Sequence, residues 1–337
     1  MRRLAWAVLA GTATVSLAAN ATTLDDVKKR GFVNCGLPSS LAGFASANDA
    51  GELAGFDVDY CRAIAAAVLN NPKAVRLTAL SATARFTALQ SGQVDVLIHN
   101  TSWTMARDTS LGLGFVGVNF FDGQGFLVPK SFGVTSALEL SGASICVLAG
   151  TSAEQNLADF FKAQNMKFTA VVLDRQEDIL TAYAGGRCTA VSADASGLYP
   201  LRLATARADD HQVLPEIISK EPWGPSTRQG DAQWTSIVKW VHFALLNAEE
   251  LGVTAENAER QKTTPDNTDI KRLLGGDGKF GEMVGLSNDW AYNVVRAVGN
   301  YGQIFDRNLG AASKLKMPRG QNALWSKGGL QFAPAVR

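Results

Sequence analysis

Between Thr22 and Arg207 short apolar runs alternate with segments of helical period, and that alternation confines the chain to an α/β architecture. The first series reads helix LDDVKKRG, strand FVNCGL, helix GFDVDYCRAIAAAVLN, strand AVRLTAL, helix ARFTALQSGQ and strand VDVLIHN. In its second helix Val58, Cys61, Ile64, Ala65 and Val68 recur at helical spacing. A second series follows: strands GFLVPK and ASICVLAG, helix SAEQNLADFFKAQN with Thr151 or Ser152 as its N-cap, strand FTAVVL, helix QEDILTAYAGG, strand RCTAVSAD and helix ASGLYPLRLATAR. QVLPEIISK is extended again, and DAQWTSIVKWVHFALLNAEELG and DWAYNVVRAVGNYGQIFDRNL each read as one helix. Strands that alternate with helices imply mostly parallel sheets with helices on their faces.

At 337 residues the chain is long enough for two such units, each with a core of its own. A formal net charge of +1 leaves no field to attract nucleic acid or an anionic membrane. The first residues differ in character. Met1-Arg2-Arg3 precedes LAWAVLAGTATVSLA, an apolar stretch too short and interrupted to span a bilayer, and then Ala19-Asn20-Ala21. This pattern predicts an exported protein cleaved after Ala21; the small residues at the cleavage site argue against a retained anchor. The four cysteines, Cys35, Cys61, Cys146 and Cys188, form no C-x-x-C, and the three histidines lie far apart, so no zinc site is expected. In an oxidising compartment the even count predicts disulfides, and from the residues alone all three pairings stand open.

Three polar sites fall at strand ends. The run DVLIHNTSWTMARD passes from a buried strand into Asn100, Ser102, Thr104 and Arg107; Ser152 follows ICVLAG; Asp194 follows CTAVSA. Ligands of open α/β sheets sit beyond the carboxyl ends of the strands, so the three sites predict a cleft between two lobes. Taken singly, each residue has another reading. Arg107 could pair with Asp108 or Asp95 at the surface, and Ser102, Thr104, Ser152 and Asp194 could be helix N-caps. Arg85 could be an exposed first-turn arginine whose stem covers apolar surface.

The segments GFDVDYCRAIAAAV, RFTALQSGQVDVLIHNTSWTMARD, GTSAEQNLADFF, SADASGLYPLR and NALWSKGGLQFAP together resemble the periplasmic general L-amino-acid-binding proteins of ABC importers. The resemblance implies the type II periplasmic binding protein fold: two α/β lobes, each a mostly parallel sheet flanked by helices, joined by two hinge strands. The chain would cross near residues 122–125 and return near 217–220. Residues 22–123 and 219–337 would form the first lobe and residues 124–218 the second. On that arrangement the expected disulfides are Cys35–Cys61 and Cys146–Cys188, one in each lobe.

By the same resemblance Arg107 and Ser102 bind a ligand carboxylate, with Asn100 beside them, and Ser152 is a donor from the second lobe. Asp194 takes the ammonium. A zwitterion losing its water in a closed cleft needs such partners, and a bidentate arginine suits the carboxylate. Leu41 stands where several relatives carry an aromatic that packs on the ligand, which suits a broader pocket. Arg85 stands where relatives that bind glutamate carry arginine.

The implied function is capture of free L-amino acids, broadly and with a preference for glutamate, aspartate and their amides, for delivery to the membrane permease subunits of an ABC importer. No P-loop is present, so the ATPase would be a separate chain. No cofactor, catalytic residue, metal or nucleic-acid partner is expected, and the protein would be a monomer. The competing expectation is an exported dehydratase of prephenate or arogenate on the same fold, with Asp194 as an acid.

Overall fold

The computed structural model describes residues 22–48 and 50–337; the expected signal segment and its cleavage after Ala21 lie outside the described residues. Two five-stranded sheets organise the chain. In the first, Val33–Pro38 runs parallel to Val75–Leu80 on one side and to Val96–Leu97 on the other. Ser226–Arg228 then lies antiparallel between Val96–Leu97 and Leu113–Phe115. In the second sheet, Ser144–Leu148 runs parallel to Thr169–Leu173 and Ala190–Asp194. Gln124–Pro129 lies antiparallel between Ala190–Asp194 and His211–Val213.

Helices cover both sheets, so the strands read as near-continuous apolar runs. Val33, Cys35 and Leu37 are fully buried beneath helix Phe56–Leu69, which Asn70 ends in the left-handed conformation at φ 52°. In the second sheet Phe126, Ile145 and Val147 meet Leu157 and Phe161 of helix Ala153–Ala163. One disulfide staples each unit: Cys35–Cys61 with 6.1 Å between Cα atoms, and Cys146–Cys188 with 5.6 Å.

A short antiparallel ladder links the two units. Phe120–Asp122 pairs with Glu221–Trp223, in a register that sets Asp122 opposite Glu221 and Phe120 opposite Trp223. The apolar end of this ladder is packed into the first unit, where Phe44 meets Phe120 at 5.0 Å and Trp223 at 5.3 Å, edge to face. The C-terminal run NALWSKGGLQFAP clamps the same ladder: Asn322 accepts from Phe121 N at 2.7 Å and donates back to Phe121 O at 3.0 Å.

One expected helix is two. DWAYNVVRAVGNYGQIFDRNL breaks into Trp290–Val298 and Tyr301–Asn308. Gly299 turns left-handed at φ 79°, and Asn300 caps the new helix, accepting from Gln303 N at 2.9 Å while the Gln303 side chain accepts from Asn300 N. The N-x-x-Q capping box was the signal for this break.

Candidate functional site

The carboxyl ends of both sheets face each other, and hydrogen bonds already join them. After Val96–Leu97 the chain runs alongside the ladder that links the two units: Trp103 N donates to Pro222 O at 2.8 Å and Gly224 N donates to Thr101 O at 3.1 Å. This pairing brings Asn100 and Ser102 to the floor of the cleft. Asn100, held at a positive φ of 35°, donates from its amide to Asp194 of the opposite lobe at 3.3 Å.

Arg107 belongs to the short helix Met105–Thr109, whose N-cap is Thr104, its hydroxyl accepting from Arg107 N at 3.4 Å. The Arg107 side chain does not pair with Asp108 or Asp95. It turns inward, where it is 8% exposed, donates to Ser102 O at 2.9 Å and lies over the Phe86 ring. Asp95 is engaged by Arg30 instead.

Arg85 opens helix Arg85–Gln90 and is 1% exposed, which removes the surface reading. It donates to His99 O at 3.1 Å and reaches Gly150 O of the other lobe at 3.4 Å. Gly150 is left-handed at φ 72°, a conformation that favours glycine, and a β-carbon there would press on Thr83 of the opposite lobe, 3.0 Å from its Cγ2. Arg85 and Arg107 share the Phe86 ring at 4.7 and 5.4 Å. Burial and the neighbouring Arg107 bring the Arg85 guanidinium down to about 9, with Asp194 opposing. The same burial and Arg85 depress His99 to about 3, so its ring is neutral.

Asp194 and Ser152 both occupy N-cap positions, yet neither side chain caps its helix. Asp194 faces Asn100 and Arg85; burial first, then Asp122 and Glu221, raise its carboxyl well above the ordinary range. Asp122 is raised to about 7, mainly by burial, against hydrogen bonds from Ser196 and from Gly123 N at 2.8 Å. Leu41 lines the interlobe cavity, and a β-carbon at Gly197 of the opposite lobe would stand 3.6 Å from its Cδ1.

Two acids went unrecognised in the sequence. Glu221, 2% exposed, accepts from Ser152 Oγ at 2.9 Å, Ser219 Oγ at 2.7 Å, Asn156 Nδ2 at 2.6 Å and Ser102 Oγ. Asp122 was read only as part of the crossing. The available signal was an ionisable residue inside each extended hinge run, FFDGQG and SKEPWG, where burial demands a partner.

Beside these groups an interlobe cavity of about 310 Å³ is lined by Leu41, Ser81 and Asn100 from one lobe and Thr151, Asp174 and Arg175 from the other. A polar anchor of two guanidiniums and three carboxylates thus adjoins a space of small-molecule size. Among the described residues no group of His, Cys, Asp and Glu is placed to hold a metal ion, and no helix is long and apolar enough to cross a membrane.

Residues 33–274 match the model of the bacterial extracellular solute-binding proteins, family 3. The chain belongs to this family. It is 55% identical over 95% of its length to the general L-amino acid-binding periplasmic protein AapJ of Rhizobium johnstonii, covering 94% of that protein. It is 50% identical to the glutamate/glutamine/aspartate/asparagine-binding protein BztA of Rhodobacter capsulatus, over 96% of each chain. Among solved structures, the periplasmic binding protein of an ABC transporter from Brucella ovis, with glutathione bound, shares 56% identity and superposes with a TM-score of 0.91, over 94% of this chain and 100% of that one. The family member described here is therefore a two-lobed solute-binding protein and not an enzyme. The dehydratase alternative gains nothing from these relatives.

Proposed function

We propose that the protein captures free L-amino acids between its lobes and presents them to an ABC importer, taking a broad range with an acidic preference. The observation that carries this reading is the convergence of Arg107 and Arg85, both buried, and the half-buried Asp194 from both lobes onto one point. Arg107 with the Ser102 and Ser152 hydroxyls provides for the α-carboxylate, and Asp194 with Asn100 provides for the α-ammonium. Arg85 stands ready for a second carboxylate, and the neighbouring cavity receives the side chain. The names of the relatives AapJ and BztA, one general and one for acidic amino acids and their amides, point the same way. Glutathione, bound by the Brucella relative, carries the same free α-amino and α-carboxylate groups on its γ-glutamyl end and belongs among the ligands tested.

On this reading residues 22–123 and 219–337 form one rigid lobe and 124–218 the other, and the ladder between Asp122 and Glu221 is the hinge. The working form is a monomer, exported with cleavage after Ala21, that docks on permease subunits whose ATPase is a separate chain. The deciding experiment is mass spectrometry of the small molecules released when the purified protein is denatured, followed by calorimetry with the twenty amino acids and glutathione. Amino acids in the released pool and Kd values in the micromolar range or below are expected; no binding of any of them would overturn the assignment.

A further inference from the structure

The hinge ladder sets two acids side by side. Asp122 and Glu221 are register partners, and like charges directly opposite on adjacent strands are destabilising. Glu221 is nevertheless buried, and its two oxygens have different tasks. Oε1 is anchored by Asn156 Nδ2 at 2.6 Å and Ser219 Oγ at 2.7 Å. Oε2 takes the Ser102 hydroxyl from one lobe and the Ser152 hydroxyl, at 2.9 Å, from the other. Arg107, the third group assigned to a ligand carboxylate, is lowered by burial, and Glu221 is near enough for its charge to oppose that shift.

The donors expected to hold a ligand's α-carboxylate are thus engaged with a carboxylate of the protein itself. We propose that Glu221 competes with the ligand's α-carboxylate for Ser102 and Ser152, and so sets the affinity and residence time of every amino acid the site holds. The proposal rests on the reading of Arg107, Ser102 and Ser152 as the α-carboxylate site. Each serine hydroxyl has one proton to give. A ligand carboxylate that takes both protons leaves Oε2 without its donors, and the two carboxylates repel in a buried pocket. That cost is the same for every side chain. It weakens all α-amino acids together and hastens their departure, as a protein that must hand its solute on requires.

Glu221→Gln separates the two roles. Its amide oxygen keeps the Asn156 and Ser219 anchor, while its NH2 replaces Oε2 with a donor and frees both serine protons for the ligand. Binding of L-alanine, L-glutamine and L-glutamate, followed by calorimetry and stopped-flow fluorescence, should tighten by ~10-fold or more, the worth of a charged hydrogen bond, through slower dissociation. L-Alaninamide, which lacks the carboxylate, should not gain. Glu221→Asp keeps the charge but draws it back from the serines, and should tighten binding by a smaller factor; it carries the test if the Gln variant fails to fold by circular dichroism. If neither variant binds amino acids more tightly, or if alaninamide gains equally, Glu221 is not a competitor. Arg107→Ala is measured in parallel: near-normal binding there would show that the α-carboxylate site itself is misassigned, whereas loss of binding with no gain in the Glu221 variants would overturn the competition alone.

Discussion

Asn100 donates to Asp194 across the cleft at 3.3 Å, tying the end of a strand in one lobe to the end of a strand in the other. The proposed ammonium acceptor is therefore positioned by the lobe opposite its own. A ligand ammonium placed against Asp194 favours the ionised carboxyl, which burial and two neighbouring acids otherwise oppose. Binding of a neutral amino acid should then release protons at pH values between the carboxyl's lower value in the complex and its raised value in the free protein, and affinity should climb with pH in that window. Calorimetry of L-alanine in buffers of different ionisation enthalpy reads the proton count directly. Asp194→Asn should abolish the release; an unchanged count in that variant would move the proton to another group.

Arg107→Ala should remove most binding of every α-amino acid while the fold persists. Its guanidinium is buried beside Glu221 and Asp194, and losing one partner of a desolvated charge pair costs roughly 3–5 kcal/mol. A Kd within a few-fold of wild type for L-glutamine would place the carboxylate site elsewhere.

The sequence pattern carried the architecture further than the site. Strands such as Ser144–Leu148 and helices such as Ala153–Ala163 were legible because periodicity and caps are local properties. Arg107, Asp194 and Ser152 were legible only through the resemblance, since spacing alone allowed a surface ion pair and two N-caps. The structure decides among these by orientation: Thr104 caps the Arg107 helix, while Ser152 and Asp194 turn away from theirs. Glu221 was hidden because its partners come from residues 102, 152, 156 and 219 and meet only when both lobes and the hinge are assembled.

Stability should respond to pH through opposing groups. Asp122, held at about 7 against an ordinary 3.8, keeps a proton in the folded state that the unfolded chain has lost, so its contribution is full below pH 3.8 and lost as pH rises through 7. The raised Asp194 acts in the same direction. His99 and His242, depressed by burial to about 3 and about 4 from 6.5, act oppositely: the unfolded chain protonates them below 6.5 while the folded one does not. Buried Asp57 and Asp95 are raised as well, so the carboxyls outnumber the histidines: stability should fall with pH between 5 and 6.5 and more steeply above 6.5, where the histidines no longer oppose them. Urea unfolding at stepped pH should show that profile, and Asp122→Asn should make the fall shallower. A variant with the wild-type profile would show that Asp122 titrates normally.

Each disulfide should stabilise its own unit. The bridged pairs lie 26 and 42 residues apart in sequence, for which the chain-entropy limit is about 3.5 and about 4 kcal/mol. Replacing Cys146 and Cys188 together by serine should lower the unfolding free energy by roughly 2–4 kcal/mol and leave the Cys35–Cys61 link intact in non-reducing peptide maps. A cross-link between the lobes, or free thiols in the native protein, would contradict the pairing.

Arg85 should decide the preference for acidic side chains. It is fully buried, keeps its charge at neutral pH with a pKa of about 9, and faces Arg107 and Asp194. The guanidinium is not free to swing to water for a neutral ligand: His99 O and Gly150 O hold it in place, and its Nε has no partner in the protein. A second carboxylate from glutamate or aspartate would find donors already oriented, with little further ordering to do. Arg85→Ala should weaken glutamate and aspartate by ~1.5–3 kcal/mol more than glutamine or alanine, the range for a hydrogen bond to a charged group. The neutral ligands should lose a smaller, common amount, because the bond to Gly150 is one of those that join the lobes. Calorimetry on the four ligands gives the difference directly. Equal losses would leave Arg85 a strut between the lobes, and the acidic preference would need another source.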